Sequence, residues 1–171
     1  MISLISKKTK KLKKTDVIQI CKLKNTEWRY GFNSQKAWFD KYIKLNDIHN
    51  MLLINKKIYA YTCLRNRSYK IGKNLSKYLL FDTLIVRNTV RKKGFGKLIM
   101  EYNNHIINKQ KKPSFLVCRK KTIKFYIKNN WKLIHSKHYK IMDNNYPNQN
   151  GMVFNDIKFK RSKRILLWTN K

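Results

Sequence analysis

Hydrophobic positions along this chain change their spacing several times, and each change marks a predicted element. Val17, Ile18, Ile20, Cys21 and Leu23 form a dense apolar run that reads as a first strand. From Thr26 to Leu45 the residues Trp28, Phe32, Trp38, Phe39, Tyr42 and Ile43 follow a helical spacing broken near Gly31, which predicts two short helices. MLLI at 51–54 and IYAYTCLR at 58–65 flank Asn55-Lys56-Lys57 and predict a hairpin, with 66–77 as loop. Tyr78 to Val86 is apolar enough for a central strand buried on both faces. After it, Phe95, Leu98, Ile99, Tyr102 and Ile106 fall on one face of a helix that must end before Pro113. Strands at 114–118, 131–134, 151–154 and 164–168, with a short helix at 121–129, complete the pattern. Strands and helices alternate through the second half, which is the signature of the α+β or α/β class.

Charge alters this picture at one end. Six lysines crowd residues 1–14, so that segment reads as a basic, mobile leader, with order beginning near Asp16 and one domain filling residues 15–171. Over the whole chain 41 Lys+Arg face 8 Asp+Glu, a formal net charge of +33. Such a field draws phosphates and polyanions to the surface whatever its origin. Yet 33 of the cations are Lys and only 8 are Arg, in a chain that also holds 19 Asn and 19 Ile. That composition fits codon bias better than a nucleic-acid footprint, which favours clustered arginine. No apolar run reaches membrane-spanning length, and the chain is expected to be cytoplasmic, with no membrane partner. Cys21, Cys63 and Cys118 are odd in number and widely spaced, so neither a disulfide frame nor a metal site is indicated.

The chemistry concentrates in Arg91-Lys92-Lys93-Gly94-Phe95-Gly96, which holds two of the chain's 5 glycines. A buried strand enters this loop and an amphipathic helix leaves it. Unpaired backbone N–H groups and the positive end of the helix dipole therefore converge where glycines let an anion approach closely. Two common nucleotide loops fail here: a dinucleotide fingerprint needs a third glycine where Ile99 stands, and a Walker loop needs Ser or Thr where Leu98 stands.

LIVRNTVRKKGFGKLIM, from Leu84 to Met100, resembles the acetyl-CoA loop of the GNAT (GCN5-related) N-acetyltransferases, whose motif is Gln/Arg-x-x-Gly-x-Gly/Ala. The likeness runs over 80–134, where Phe125-Tyr126 matches that family's Phe/Leu-Tyr pair and Asn130-Trp131 replaces its Gly-Phe. Asn88 stands in place of a usual proline, Arg119 in place of an asparagine that bonds the pantetheine arm, and Thr122 in place of a small residue. The resemblance implies a single-domain mixed, mostly antiparallel sheet with splayed central strands flanked by helices.

It also implies an acetyl-CoA-dependent transfer to a primary amine, with no metal. Arg91, Lys92, Lys93, Gly94, Phe95, Gly96 and Lys97 would hold the pyrophosphate. The backbone of Ile85 and Val86 would bond the pantetheine arm, and a Val86 N–H would face the acetyl oxygen. Tyr126 would protonate the departing thiolate, and Asp82 is the first candidate base, ahead of Asp47 and His49. The acceptor pocket would be lined by Trp28, Tyr30, Trp38, Tyr42, Tyr139 and Tyr146. A small acidic amine, such as a nucleotide-linked amino sugar, suits a positive, aromatic cleft. A peptide acceptor, or a basic nucleic-acid-binding module with a non-catalytic loop, is the alternative.

Overall fold

The computed structural model describes residues 1–144, 146, 149–156, 159 and 164–170. Its elements are β1 (Ile2–Lys8), α1 (Lys14–Glu27), α2 (Phe32–Tyr42), β2 (Ile48–Ile54), β3 (Lys57–Ile71), β4 (Asn74–Val86), α3 (Phe95–Gln110), β5 (Ser114–Cys118), α4 (Ile123–Lys128), β6 (Lys132–Ile134), β7 (Tyr139–Ile141), β8 (Asn150–Phe154) and β9 (Ile165–Leu167). The strands pair in the order β1-β2-β3-β4-β5-β8-β6, with β9 joining β3 and β7. Pairs β1–β2, β2–β3, β3–β9, β5–β8 and β6–β8 are antiparallel, whereas β4–β5 and β7–β9 are parallel. The fold is thus the mixed α+β class with a mostly antiparallel sheet.

The chain forms two compact units, Met1–Arg65 with Asp82–Asn103 and Asn66–Phe81 with Asn104–Lys171. In the first, alternate strand residues feed two cores. Met51, Ile58, Tyr61, Cys63 and Ile85 pack with Ile20, Cys21 and Leu23 of α1 and Phe39 of α2, while Leu52 and Ala60 pack with Ile99 of α3. Asn55 (φ 47) and Lys56 (φ 65) make the two-residue turn that joins β2 to β3, as a hairpin with right-handed twist requires. In the second unit Tyr78, Leu80, Phe115, Val153, Ile165 and Leu167 form a core of their own. There β4 and β5 pair at Leu79–Leu80 and Ser114–Phe115.

Three sequence expectations need correction. The segment 17–23, expected as a strand, lies inside α1. Its β-branched content suggested extension, but Val17, Ile20, Cys21 and Lys24 share a helical face, and the Asp16 carboxylate accepts the Lys13 N–H at the helix start (3.0 Å). The expected mobile leader is ordered as β1 along β2, because Leu4 and Ile5 pack into the two cores and leave the lysine charges outward. Residues 66–77, expected as loop, continue β3 and open β4 around a turn at Gly72 (φ 59). Among the described residues no helix is long and apolar enough to cross a membrane, and no cluster of His, Cys, Asp or Glu suits a metal ion.

Candidate functional site

The loop after β4 is built by its own backbone. Asn88–Val90 makes a single 3₁₀ turn, with the Val90 N–H on the Arg87 carbonyl (3.0 Å), and Val90 is buried beneath it. Arg91 then braces the loop: its Nε donates to the Val86 carbonyl (3.0 Å) and its guanidinium pairs with the Glu27 carboxylate at the end of α1. Lys92 (φ 63) and Gly94 (φ 80) turn the chain through the left-handed region. A side-chain carbon at Gly94 would meet nothing within 4 Å, so the space over the loop is open. α3 starts at Phe95, and the Leu98 N–H already returns to the Gly94 carbonyl (3.1 Å). The N–H groups of Phe95, Gly96 and Lys97 come before the first full turn, where a helix offers them no acceptor. Lys92, Lys93 and Lys97 are exposed around this point.

On β4 the side chains do not alternate strictly. Asp82 meets Arg65 on the face covered by α2, Leu84 and Val86 pack on the α3 face, and Ile85 returns to the core under α1 and α2. Asp82 pairs with Arg65 Nη1 at 3.4 Å and accepts the Thr83 hydroxyl at 3.3 Å. Arg65 also donates to the Tyr42 carbonyl (3.3 Å), which ties β3 to the end of α2.

Asp47 and His49 are both fully buried. His49 Nδ1 lies 2.8 Å from the Tyr61 hydroxyl and Nε2 lies 2.9 Å from the Thr9 hydroxyl, and the ring stacks between Phe39 and Tyr61. Burial pushes its pKa down to about 4. The Asp47 carboxylate accepts the Lys44 N–H (2.8 Å) and shapes the turn before β2. Both residues hold the fold together here.

In the second unit Tyr126 of α4 packs edge-on against Phe81, Phe125 and Trp131. Burial, with Cys118 adding to it, raises its pKa, so the hydroxyl keeps its proton. Among the described residues no acceptor bonds that hydroxyl. Trp131 is buried, donates Nε1–H to Asn104 Oδ1 (3.0 Å) and stacks on Phe154.

Compared with known proteins, the chain matches no protein-family model and no curated protein by sequence. Solved structures do match. ElaA of Escherichia coli superposes with a TM-score of 0.66 at 14% identity, covering 90% of this chain and 99% of that one. An acyl-CoA N-acyltransferase from Pseudomonas aeruginosa gives 0.66 at 12% identity over 90% and 99%. An aminoglycoside 6′-N-acetyltransferase in complex with coenzyme A gives 0.63 at 12% identity over 88% and 96%.

The chain has the GNAT fold.

Within the GNAT fold the substitutions noted in the sequence become intelligible. Asn130 adopts φ 66, the left-handed conformation for which glycine is the usual choice and asparagine a tolerated one. Thr122 turns its hydroxyl back to the Arg119 carbonyl (2.9 Å) at the start of the α4 region. Of the aromatic residues expected around an acceptor, Trp38 and Tyr42 pair on α2 with ring centroids 5.7 Å apart, and Trp28 packs beside the α1 core. Tyr30 is exposed, Tyr139 packs on Phe115, and Tyr146 accepts from the Asn144 amide (3.0 Å). Sequence reasoning missed Glu27, Lys24 and Arg65. The signal for Lys24 was available, since it is a lysine on the apolar stripe of Val17, Ile20 and Cys21. That for Glu27 was not, because 64 residues separate it from Arg91.

Proposed function

We propose that this protein is an acetyl-CoA-dependent N-acetyltransferase acting on the primary amine of a small acidic molecule. The observation that carries the reading is the turn from β4 into α3. A glycine at φ 80 with open space above it, a helix start with free N–H groups and an arginine braced to Val86 and Glu27 together make a cradle for a pyrophosphate.

The N–H groups of Gly94 to Lys97 hold the phosphate oxygens, and Lys92, Lys93 and Lys97 add charge around them. Arg91 braces the loop with two of its five N–H donors, on Val86 and Glu27, and keeps the others for the phosphates. Acetyl-CoA supplies the activated acetyl thioester. The Ile85–Val86 edge of β4 would hold the pantetheine arm, and the Val86 N–H would stabilise the negative charge that develops on the acetyl oxygen. Asp82 takes a proton from the incoming ammonium, because only the neutral amine attacks, and Tyr126, kept protonated by its buried setting, gives one to the departing thiolate.

Thiol release from acetyl-CoA in the presence of amines of different classes tests the reading. Turnover that depends on the amine supports it. Thiol release that no amine accelerates above hydrolysis would overturn it.

A further inference from the structure

Asn103 stands in the middle of the apolar stripe of α3, one turn after Ile99 and one turn before Ile107, and is fully buried with them. Its Oδ1 accepts the Asn50 amide (3.0 Å) and the Thr62 hydroxyl (2.9 Å). The same Asn50 amide also donates to Thr62 Oγ1 (3.2 Å). Asn50 and Thr62 are direct partners across β2 and β3 and are fully buried as well. Leu52 and Ala60, the next residues on that face of the two strands, pack with Ile99. A closed polar triad is thus set inside the apolar contact between α3 and the sheet.

Stability does not explain it. Among the described residues Asn50 Oδ1 and Asn103 Nδ2 find no partner. Turning both amides over reverses the bonds and leaves the same two positions unpaired. Each unpaired group costs the hydration it gave up, and asparagine is a poor helix former, whereas valine and alanine would fill the same space with neither cost. What the triad supplies is a unique setting of the helix. Leu98, Ile99, Met100, Tyr102, Ile106 and Ile107 spread apolar surface over about half of the α3 circumference, a face too broad to select one rotation. The amide bonds form at one rotation and one height only, since a slip of one residue moves Asn103 about 1.5 Å along the axis and about 100° around it.

We propose that Asn103 is a positioning residue, which through Asn50 and Thr62 fixes the rotation and height of α3 and so aims the N–H groups of Phe95, Gly96 and Lys97 at the pyrophosphate of acetyl-CoA. These groups lie two turns before Asn103 on the same helix, and the backbone hydrogen bonds between carry the setting of the helix from one end to the other. Displacing them by about 1 Å is enough to spoil hydrogen bonds whose length is confined to about 2.7–3.2 Å. A single buried asparagine fixes helix register in coiled coils in the same way. The ligand in this proposal rests on the acetyl-CoA reading, whereas the setting of the helix does not.

Two variants of the whole protein test it. Asn50→Val with Asn103→Ala removes both amides and keeps their combined volume, and Thr62→Val removes only the hydroxyl. Each is measured by thermal unfolding, by the amide resonances of residues 94–97 and by calorimetric titration with acetyl-CoA. The double variant is expected to melt at the wild-type temperature or above, while the 94–97 resonances shift and broaden and acetyl-CoA binds about tenfold or more weaker. Thr62→Val changes in the same direction and less, and it decides the matter by the same two readouts if the double variant unfolds. Resonances that stay sharp and in place, or an affinity that both variants retain, overturn the proposal, whatever the melting temperature does. Resonances that move in a protein without affinity for acetyl-CoA would keep the positioning role and remove the acetyl-CoA reading. Tight acetyl-CoA binding that neither variant disturbs would do the reverse.

Discussion

Lowering the pH from 7 to 5 is expected to cost this protein about 2 kcal/mol of stability through one side chain, His49. The imidazole is fully buried, held at both nitrogens by Thr9 and Tyr61 and stacked on Phe39 and Tyr61. Burial is the largest cause of its low pKa; Asp47 opposes it and Lys24 adds to it, and the result is about 4 against an ordinary 6.5. The unfolded chain binds a proton below pH 6.5 that the folded protein refuses until about pH 4. Stability is therefore fully present above the unfolded value and is lost as pH falls toward the folded one. The whole displacement corresponds to about 3 kcal/mol, of which about 2 falls between pH 7 and 5. Asp16 and Asp143, whose pKa values are lowered from 3.8 by hydrogen bonds that outweigh burial, add their own losses only in more acid solution. Urea unfolding at pH 7 and pH 5 measures the effect, with His49→Gln as the reference that cannot titrate. The variant is less stable at both values but nearly flat between them. Equal losses in wild type and His49→Gln would refute the assignment.

Gly94→Ala places a side chain at φ 80 and is expected to lower stability by about 1–2 kcal/mol although nothing crowds the site, read from thermal unfolding. An unchanged melting temperature would show that the turn relaxes freely. Tyr126→Phe keeps the ring packing and removes the proton donor, so acetyl-CoA affinity holds while kcat falls about 100-fold. Unchanged kcat takes Tyr126 out of the mechanism. Glu27→Gln loosens the brace on Arg91; the pair is exposed, so stability moves by under about 1 kcal/mol, while the KM for acetyl-CoA rises several-fold. A KM identical to wild type would mean that the loop stands without Glu27.

Much of the loop was legible in the sequence because its information is local. The glycine spacing, the buried strand before it and the amphipathic helix after it are neighbours along the chain, and β2–β3, β4, α3 and β5 appear where periodicity places them. Local reading failed where a distant partner decides. α1 looked like a strand until the sheet beneath it selected the Ile20, Cys21 and Leu23 face, and β1 looked like a loose tail because lysines hid the two residues that anchor it, Leu4 and Ile5. The link from Arg91 to Glu27 and the meeting of Lys24, Trp38 and Arg65 likewise join elements far apart in sequence. They follow from the packing of α1 and α2, which the pattern alone did not fix.

With 33 excess positive charges, this protein will attract any polyphosphate in dilute salt, so weak binding of acetyl-CoA is not informative by itself. The most direct test is calorimetric titration with acetyl-CoA at about 0.15 M and about 0.5 M salt, on wild type and Gly96→Val. Gly96 lies in the first turn of α3 with φ outside the positive region, so its backbone conformation is one that valine can adopt. One molecule of acetyl-CoA per chain, retained at the higher salt and weakened about 100-fold or more in Gly96→Val, is the result expected of a pyrophosphate held by backbone N–H groups. Binding that fades with salt, or that Gly96→Val leaves untouched, would contradict it.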